Sequence, residues 1–249
     1  EGWRFTAGAG AGREGRYGFT LGEGGDPEGA DEGDLALRVH RARYYLRGDV
    51  TRRIAGPLHV ALGGQLQHTD WSRVPGQSAF RAAFGDGIGQ TDLMGRLAVV
   101  VDTRNKEFVP ANGVFAEAGV YGGSGGDGYR GAYAVARGYV SPREGTVVAA
   151  RLGARSLGGS PPLEAENAIP TWEEPTDVLG GDGSHRSFVP GHFHGRGVLL
   201  ANLEVRHDLL NAGDYGAITA LAFVDAGRVF RDEFEFTAED WEVGGGGGV

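Results

Sequence analysis

The chain has 249 residues, of which 47 are glycine and none is cysteine, and its formal net charge is −9. The lack of cysteine excludes disulfide scaffolds, thiolate catalysis and cysteine-ligated zinc, and the negative charge argues against a nucleic-acid partner. No run approaches the ~18 consecutive apolar residues of a membrane-spanning helix. The strands of a membrane β-barrel leave a much weaker pattern, so the composition does not exclude such a barrel.

Apolar and polar residues alternate along much of the chain, which predicts β-strands. Clear examples lie at 58–67, 96–104, 146–157 and 198–206. Each is about ten residues long, as in a tilted strand that crosses a bilayer. One face carries small aliphatic residues, and the other carries Arg, Glu, Asp and Gln. We count about eleven such segments, from 3–13 to a last one that opens at Trp241.

Turn sequences separate the predicted strands. Hairpin turns are predicted at 110–113, 122–128, 141–145 and 211–214. Two longer polar connections lie at 75–92 and at about 160–197, and a connection as long as the second is usually functional in a compact domain. We therefore predict one β domain over 1–249 with a long loop at 160–197. Alternation alone also fits a soluble β-sandwich or small barrel, although the small apolar residues and the many glycines favour a membrane barrel.

Two regions resemble a known family. Residues 95–105 end in Asp102-Thr103-Arg104-Asn105 and are followed by Pro110 and Gly113. This segment resembles the strand–turn–strand motif of bacterial outer-membrane assembly barrels, the BamA/TamA superfamily (bacterial surface antigen family). The second region has a loop with Arg186, Ser187 and Phe188, then one strand with Glu204 and another with Asp225. It resembles the long loop of these barrels, whose Arg-Gly-Phe/Tyr tip folds into the lumen. Ser187 replaces the usual glycine, and the resemblance covers about 95–249.

The residues of the second region also support a physical prediction. Glu204 and Asp225 each lie on the polar face of a strand, so both point into the lumen if the strands form an antiparallel meander. An arginine offers five donors in a planar fork that matches a carboxylate. We therefore predict that Arg186 reaches Glu204, Asp225 or both. The competing interpretation is a solvated loop arginine beside two ordinary lumen charges.

Three other patterns have simpler interpretations. Gly122-Gly123-Ser124-Gly125-Gly126 matches the G-x-S-x-G motif of hydrolases, but no helix is predicted after it, so we interpret it as a hairpin loop. His185, His192 and His194 are predicted to be solvated loop histidines rather than metal ligands. Glu173 and Glu174 are predicted to be a surface acid pair. No metal and no cofactor is predicted.

The resemblance implies an all-β fold, an antiparallel transmembrane β-barrel (meander) in the bacterial outer membrane. The resembled barrels have more strands than 249 residues allow, so we expect an incomplete barrel of about 10–12 strands, with 244–249 at or near an unpaired edge. The competing outcome is a small closed barrel of twelve strands, in which the first strand at 3–13 pairs with the last strand near Val243. The implied function is insertion of outer-membrane proteins or translocation of polypeptides, without enzymatic activity. The implied partners are outer-membrane lipids, unfolded outer-membrane or secreted client polypeptides and periplasmic accessory proteins, with no nucleic acid.

Two alternative functions stay open. One is a passive porin-like or autotransporter-type channel, in which Arg96, Arg151 and Arg155 would select anions. The other is the membrane barrel of a larger patatin-type lipase, which would require a catalytic domain outside this chain.

Overall fold

A computed structural model describes residues 2–16, 39–73, 85–173, 176–188, 193, 195–211, 216–230 and 240–249. Within these ranges, ten strands form one antiparallel meander sheet, and two short strands form a separate hairpin. In chain order, the strands are β1 (Trp3–Arg16), β2 (Val39–Ala55), β3 (Leu58–Arg73), β4 (Gly87–Asp102), β5 (Gly113–Gly123), β6 (Gly128–Arg143), β7 (Thr146–Ser160), β8 (Ala168–Ile169), β9 (Thr176–Asp177), β10 (Gly197–Asn211), β11 (Ala217–Phe230) and β12 (Glu242–Gly248). The predicted all-β antiparallel fold is confirmed.

The two faces of the sheet follow the predicted alternation. On β4, Arg96 and Val100 are buried, whereas Leu97 and Val99, which lie between them in the sequence, are exposed. The exposed face is largely apolar, with Leu62, Leu97, Leu152, Leu203 and Val224 among its exposed side chains. The buried face carries charged residues. This arrangement is the reverse of a soluble protein, and it is typical of a sheet whose outer face contacts lipid.

Residues 161–196, here called the interior segment, connect β7 to β10, although these two strands are direct neighbours in the sheet. The described part of the segment contains a short 3-10 helix (Leu163–Asn167) and the β8–β9 hairpin. It covers the buried face, here called the inner face, and the space on that side is the lumen. Its residues Ile169, Val178 and Leu179 are almost completely buried in one cluster with strand residues such as Phe115. The core therefore lies between the interior segment and the inner face.

The predicted connections are partly corrected. The turn after β6 is shorter than 141–145, because β6 continues to Arg143 and only Glu144 and Gly145 connect it to β7. The connection predicted at 75–92 is also too long, since β4 begins at Gly87 and pairs with β3 there. The predicted turn at 110–113 lies at the end of the connection between β4 and β5. Gly113 is required there, because its φ is 108° and a Cβ would lie 2.4 Å from the carbonyl oxygen of Thr103. Of the turn at 211–214, residues 212–214 lie outside the described residues.

The two ends of the sheet each have a single neighbour. β1 pairs with β2 and β12 pairs with β11, and no backbone ladder joins β1 to β12 in the described part of the chain. This agrees with the expected open sheet with residues 244–249 at an edge. None of the described helical residues forms a helix long and apolar enough to span a membrane. The single domain over 1–249 stays a prediction, because 17–38, 74–84 and 231–239 lie outside the described residues.

Candidate functional site

The structure brings Arg186, Glu204 and Asp225 together at the tip of the interior segment. Arg186 donates from Nε and Nη2 to the two carboxylate oxygens of Asp225, at 2.9 and 2.8 Å. Its Nη1 donates to Glu204, and its backbone amide donates to Asp225 at 2.9 Å. The guanidinium also lies over the ring of Phe223, 3.6 Å from its centre. The arginine is thus bound on its edges by carboxylates and on one face by an aromatic ring.

The register of β10 and β11 creates this site. Asn202 is the direct partner of Asp225, and Glu204 is the direct partner of Phe223, so the two carboxylates lie two positions apart on the inner face. Asn202 donates to Asp225 at 2.7 Å and to the carbonyl oxygen of Ser184 at 2.6 Å, so it also holds the segment. Hydrogen bonds from Arg186 to Asp225, reinforced by Glu204 and opposed by burial, raise the pKa of the arginine. Arg186 therefore stays charged at any physiological pH.

Ser187 and Phe188 complete the tip. Ser187 is exposed, and its side chain faces β12, where a Cβ on Gly244 would lie 2.0 Å from the Ser187 Oγ. The contact therefore requires a glycine on β12, opposite the serine. Phe188 packs edge to face against His185 and Phe193, with ring centres 4.8 and 4.9 Å apart.

The prediction of a solvated His185 is wrong. Its side chain is fully buried, and its Nε2 donates to the carbonyl oxygen of Glu242 at 3.2 Å, because the tip folds onto the inner face. His192 and His194 lie outside the described residues. Among the residues that the structure describes, no group of three or more His, Cys, Asp or Glu side chains could hold a metal ion.

The strand–turn motif forms a second contact with the interior segment. Asp102 ends β4 and accepts three hydrogen bonds from Arg104, at 2.8 to 3.0 Å. Arg104 lies over the ring of Phe115 and donates to Glu173 of the interior segment. Burial lowers the pKa of Arg104, but the hydrogen bonds to Asp102 and Glu173 outweigh it, and the pKa is raised.

Glu173 is not the surface acid that the sequence predicted. Besides Arg104, it binds Arg137 of β6 at 2.8 Å, because the segment places it against the inner face. Glu174 lies outside the described residues. Of the two remaining motif residues, Pro110 is buried and Gly113 begins β5.

Sequence reasoning missed a third contact, at the start of the interior segment. Glu117 of β5 accepts hydrogen bonds from the backbone amide of Trp172, at 2.9 Å, and from the hydroxyl of Tyr133. Arg96 of β4 donates to Asp49 of β2 and to the carbonyl oxygen of Pro170. These charged side chains of the sheet thus bind the backbone of the segment.

Arg47 and Arg155 bind backbone carbonyls in the same way. Arg47 donates to Thr171, at 3.0 Å, and to Trp172. Arg155 is almost completely buried and donates to Ala165 and Ala168, both at 2.9 Å, and to Gly195. Arg96 and Arg155 therefore do not have the free guanidinium groups expected of anion-selecting residues. Their inward positions were visible in the alternation, but backbone partners leave no motif.

Comparisons with known proteins bear on the fold. No protein-family model matches the chain, and no curated protein is significantly similar to it in sequence. Among solved structures, it is similar to the crystal structure of BamA from Haemophilus ducreyi lacking POTRA domains 1–3, with a TM-score of 0.60 and 15% identity. The match covers 91% of this chain and 47% of that one, so the chain spans about half the length of the BamA structure. At this identity, the likeness shows a BamA-like barrel fold.

Proposed function

We propose that the chain is an outer-membrane β-barrel that inserts outer-membrane proteins or translocates polypeptides across the outer membrane. The apolar outer face supports a position in the lipid bilayer, since Leu and Val side chains are exposed there along the sheet. The likeness to BamA and the resemblance at 95–249 support a bacterial outer membrane. The proposed partners are its lipids, unfolded client polypeptides and periplasmic accessory proteins.

The Arg186 site is the observation that carries this proposal. The sequence motif that resembles the assembly barrels coincides with a built contact, in which Arg186 ties the tip of the interior segment to Glu204 and Asp225. Such a contact holds the tip of the segment against the inner face of the sheet. In the proposed mechanism, a sheet edge pairs with a client strand through backbone hydrogen bonds, and no covalent bond is broken.

The porin-like alternative has less support from the geometry. The interior segment occupies the lumen, and Arg96 and Arg155 bind its carbonyl oxygens. Stepwise conductance of the purified chain in planar bilayers would favour this alternative. A catalytic domain encoded next to this chain would favour the barrel of a patatin-type lipase.

Reconstitution into liposomes tests the proposal. The chain is inserted into vesicles, an unfolded outer-membrane protein is added, and its folding is followed by the mobility shift of folded barrels in gels. We expect faster client folding than in empty vesicles, and a several-fold slower rate with Arg186→Ala. The matched control is Arg130→Ala, because Arg130 is exposed on β6 and lies away from the lumen. Folding that is no faster than in empty vesicles would contradict the proposal.

A further inference from the structure

The lumen contains a cavity of about 720 Å³ between the interior segment and strands β6, β7 and β10. The volume lies within the ~300–1,000 Å³ typical of small-molecule sites. Among the described residues, six arginines line the cavity (Arg4, Arg104, Arg137, Arg151, Arg186 and Arg206), together with four acidic side chains. Cation-rich walls of this kind are suited to an anion.

Arg151 of β7 differs from the other arginines of the cavity. Each of the others has a carboxylate partner, for example Arg206 with Glu204 and Arg4 with Glu107. Among the described residues, no carboxylate lies within ion-pair distance of Arg151. Its acceptors in the described part of the chain are neutral: Nε donates to the Asn202 side chain at 2.8 Å and Nη2 donates to the Ser184 carbonyl at 3.3 Å. Its charge is therefore not matched by a direct partner.

Arg137 and Arg151 are also direct partners across β6 and β7. Like charges at directly opposed positions destabilise a sheet. An anion bound between the two guanidinium groups would therefore reduce their mutual repulsion. Arg137 binds Glu173 through Nη1, and among the described residues no hydrogen bond engages its other terminal nitrogen, Nη2. Arg137 thus keeps an unused donor in addition to its ion pair.

We propose that Arg137 and Arg151 form a binding site for an oxyanion of the phosphate class. Two guanidinium groups on neighbouring strands match the several oxygens of a phosphate or a phosphomonoester, which accept paired N–H donors. The cavity has room for the group attached to a phosphomonoester as well as for free phosphate. The site does not depend on the proposed role in membrane protein insertion, and each can fail without the other.

Calorimetric titration of inorganic phosphate into the whole folded chain, in micelles of a phosphate-free detergent, tests this site. We expect saturable binding that weakens as sodium chloride is added, because the contact is electrostatic. Arg151→Gln should weaken binding by at least about tenfold, the loss of one charged contact. Arg130→Gln is the matched control and should bind like the wild type. Absence of saturable binding, or equal affinity in Arg151→Gln, would overturn the proposal.

Two further arms complete the test. Arg151→Lys keeps the charge but not the planar fork, so it should fold and still lose affinity several-fold; wild-type affinity would count against the site. Glycerol 3-phosphate distinguishes the two sources of the anion. Binding tighter than that of inorganic phosphate supports a lipid headgroup, and equal or weaker binding supports free phosphate.

Discussion

Two regions of the interior segment are held by main contacts of different kinds, although Asn202 and Arg151 also bind the backbone carbonyl of Ser184 at the tip. At its start, side chains of the sheet bind the backbone of the segment, as Arg96 binds the Pro170 carbonyl and Glu117 the Trp172 amide. At its tip, a side chain of the segment, Arg186, binds carboxylates of the sheet. The first contact is the more buried, since the Arg96 side chain is 2% exposed and that of Arg186 is 20% exposed.

This difference has a physical consequence for sequence and stability. A backbone carbonyl is present in every residue and a backbone amide N–H in every residue except proline, so the first contact places little demand on the sequence of the segment. The tip contact needs one particular residue, an arginine with two carboxylates in register. Because buried charges lose their hydration, removal of one partner should cost more at the start of the segment than at its tip.

The largest expected effect is that of Arg96→Ala. It leaves the Pro170 carbonyl without its buried donor and removes one of the two arginine partners of Asp49, which keeps only Arg47, and the free energy of unfolding should fall by about 3–5 kcal/mol. Urea unfolding in micelles, followed by tryptophan fluorescence, measures the change. Arg73→Ala is the control, because its ion pair with Asp86 is exposed and should contribute at most about 1 kcal/mol. Equal losses in the two variants would contradict this ranking.

Arg186→Ala should have the second largest effect. It removes the charged hydrogen bonds to Glu204 and the buried Asp225, and the expected loss is about 1.5–3 kcal/mol in the same assay. Arg206→Ala is a matched control, because among the described residues Arg206 pairs with one carboxylate, that of Glu204, and it is more exposed than Arg186. Arg151 is unsuitable as a control, since it binds the Ser184 carbonyl near the tip. If Arg206→Ala lowers the free energy of unfolding as much as Arg186→Ala does, the account of Arg186 as the main contact of the tip is contradicted.

A smaller effect is expected where the tip meets β12. Gly244→Ala would place a methyl group 2.0 Å from the Ser187 Oγ and should cost about 1–2 kcal/mol through overpacking. Gly248→Ala on the same strand is the control, because nothing lies within 4 Å of its added Cβ. Adding Ser187→Gly to Gly244→Ala should restore most of the lost stability. No recovery in the double variant would show that this contact is not the cause.

The smallest expected quantity is the coupling between the two ends of the segment. The Arg96 and Arg186 contacts share no partner, so their losses should add in the double variant Arg96→Ala/Arg186→Ala to within about 0.5 kcal/mol. The same urea assay on four proteins gives the coupling energy. A coupling above about 1 kcal/mol would mean that the segment responds as one unit.

The sequence was informative where side chains determine the structure. Alternation separates a lipid-like exterior from a polar interior, so the strand faces around Leu97 and Arg96 were predictable. Strand ends were less predictable: β4 extends back to Gly87 because backbone pairing with β3 does not depend on side chains. The turn after β6 was misplaced for the same reason.

The candidate site shows the same division. Arg186, Glu204 and Asp225 could be placed together, because all three partners are side chains at recognisable positions. The burial of His185 and the inward position of Glu173 could not be predicted, since a polar glycine-rich loop carries no pattern that shows it folding inward. Arg96 and Arg155 were visible as inward charges, but their backbone partners were not, so an anion-selecting role for them stayed open as an alternative.

Hydrogen exchange of two amides tests most directly whether the interior segment is held at both ends. The Trp172 amide donates to Glu117 and the Arg186 amide donates to Asp225, whereas Lys106 lies exposed in the β4–β5 loop. NMR-detected exchange in micelles should show both amides exchanging far more slowly than Lys106. In Arg186→Ala, exchange at position 186 should accelerate while Trp172 stays protected. Exchange of both amides at the rate of Lys106 in the wild type would contradict the account.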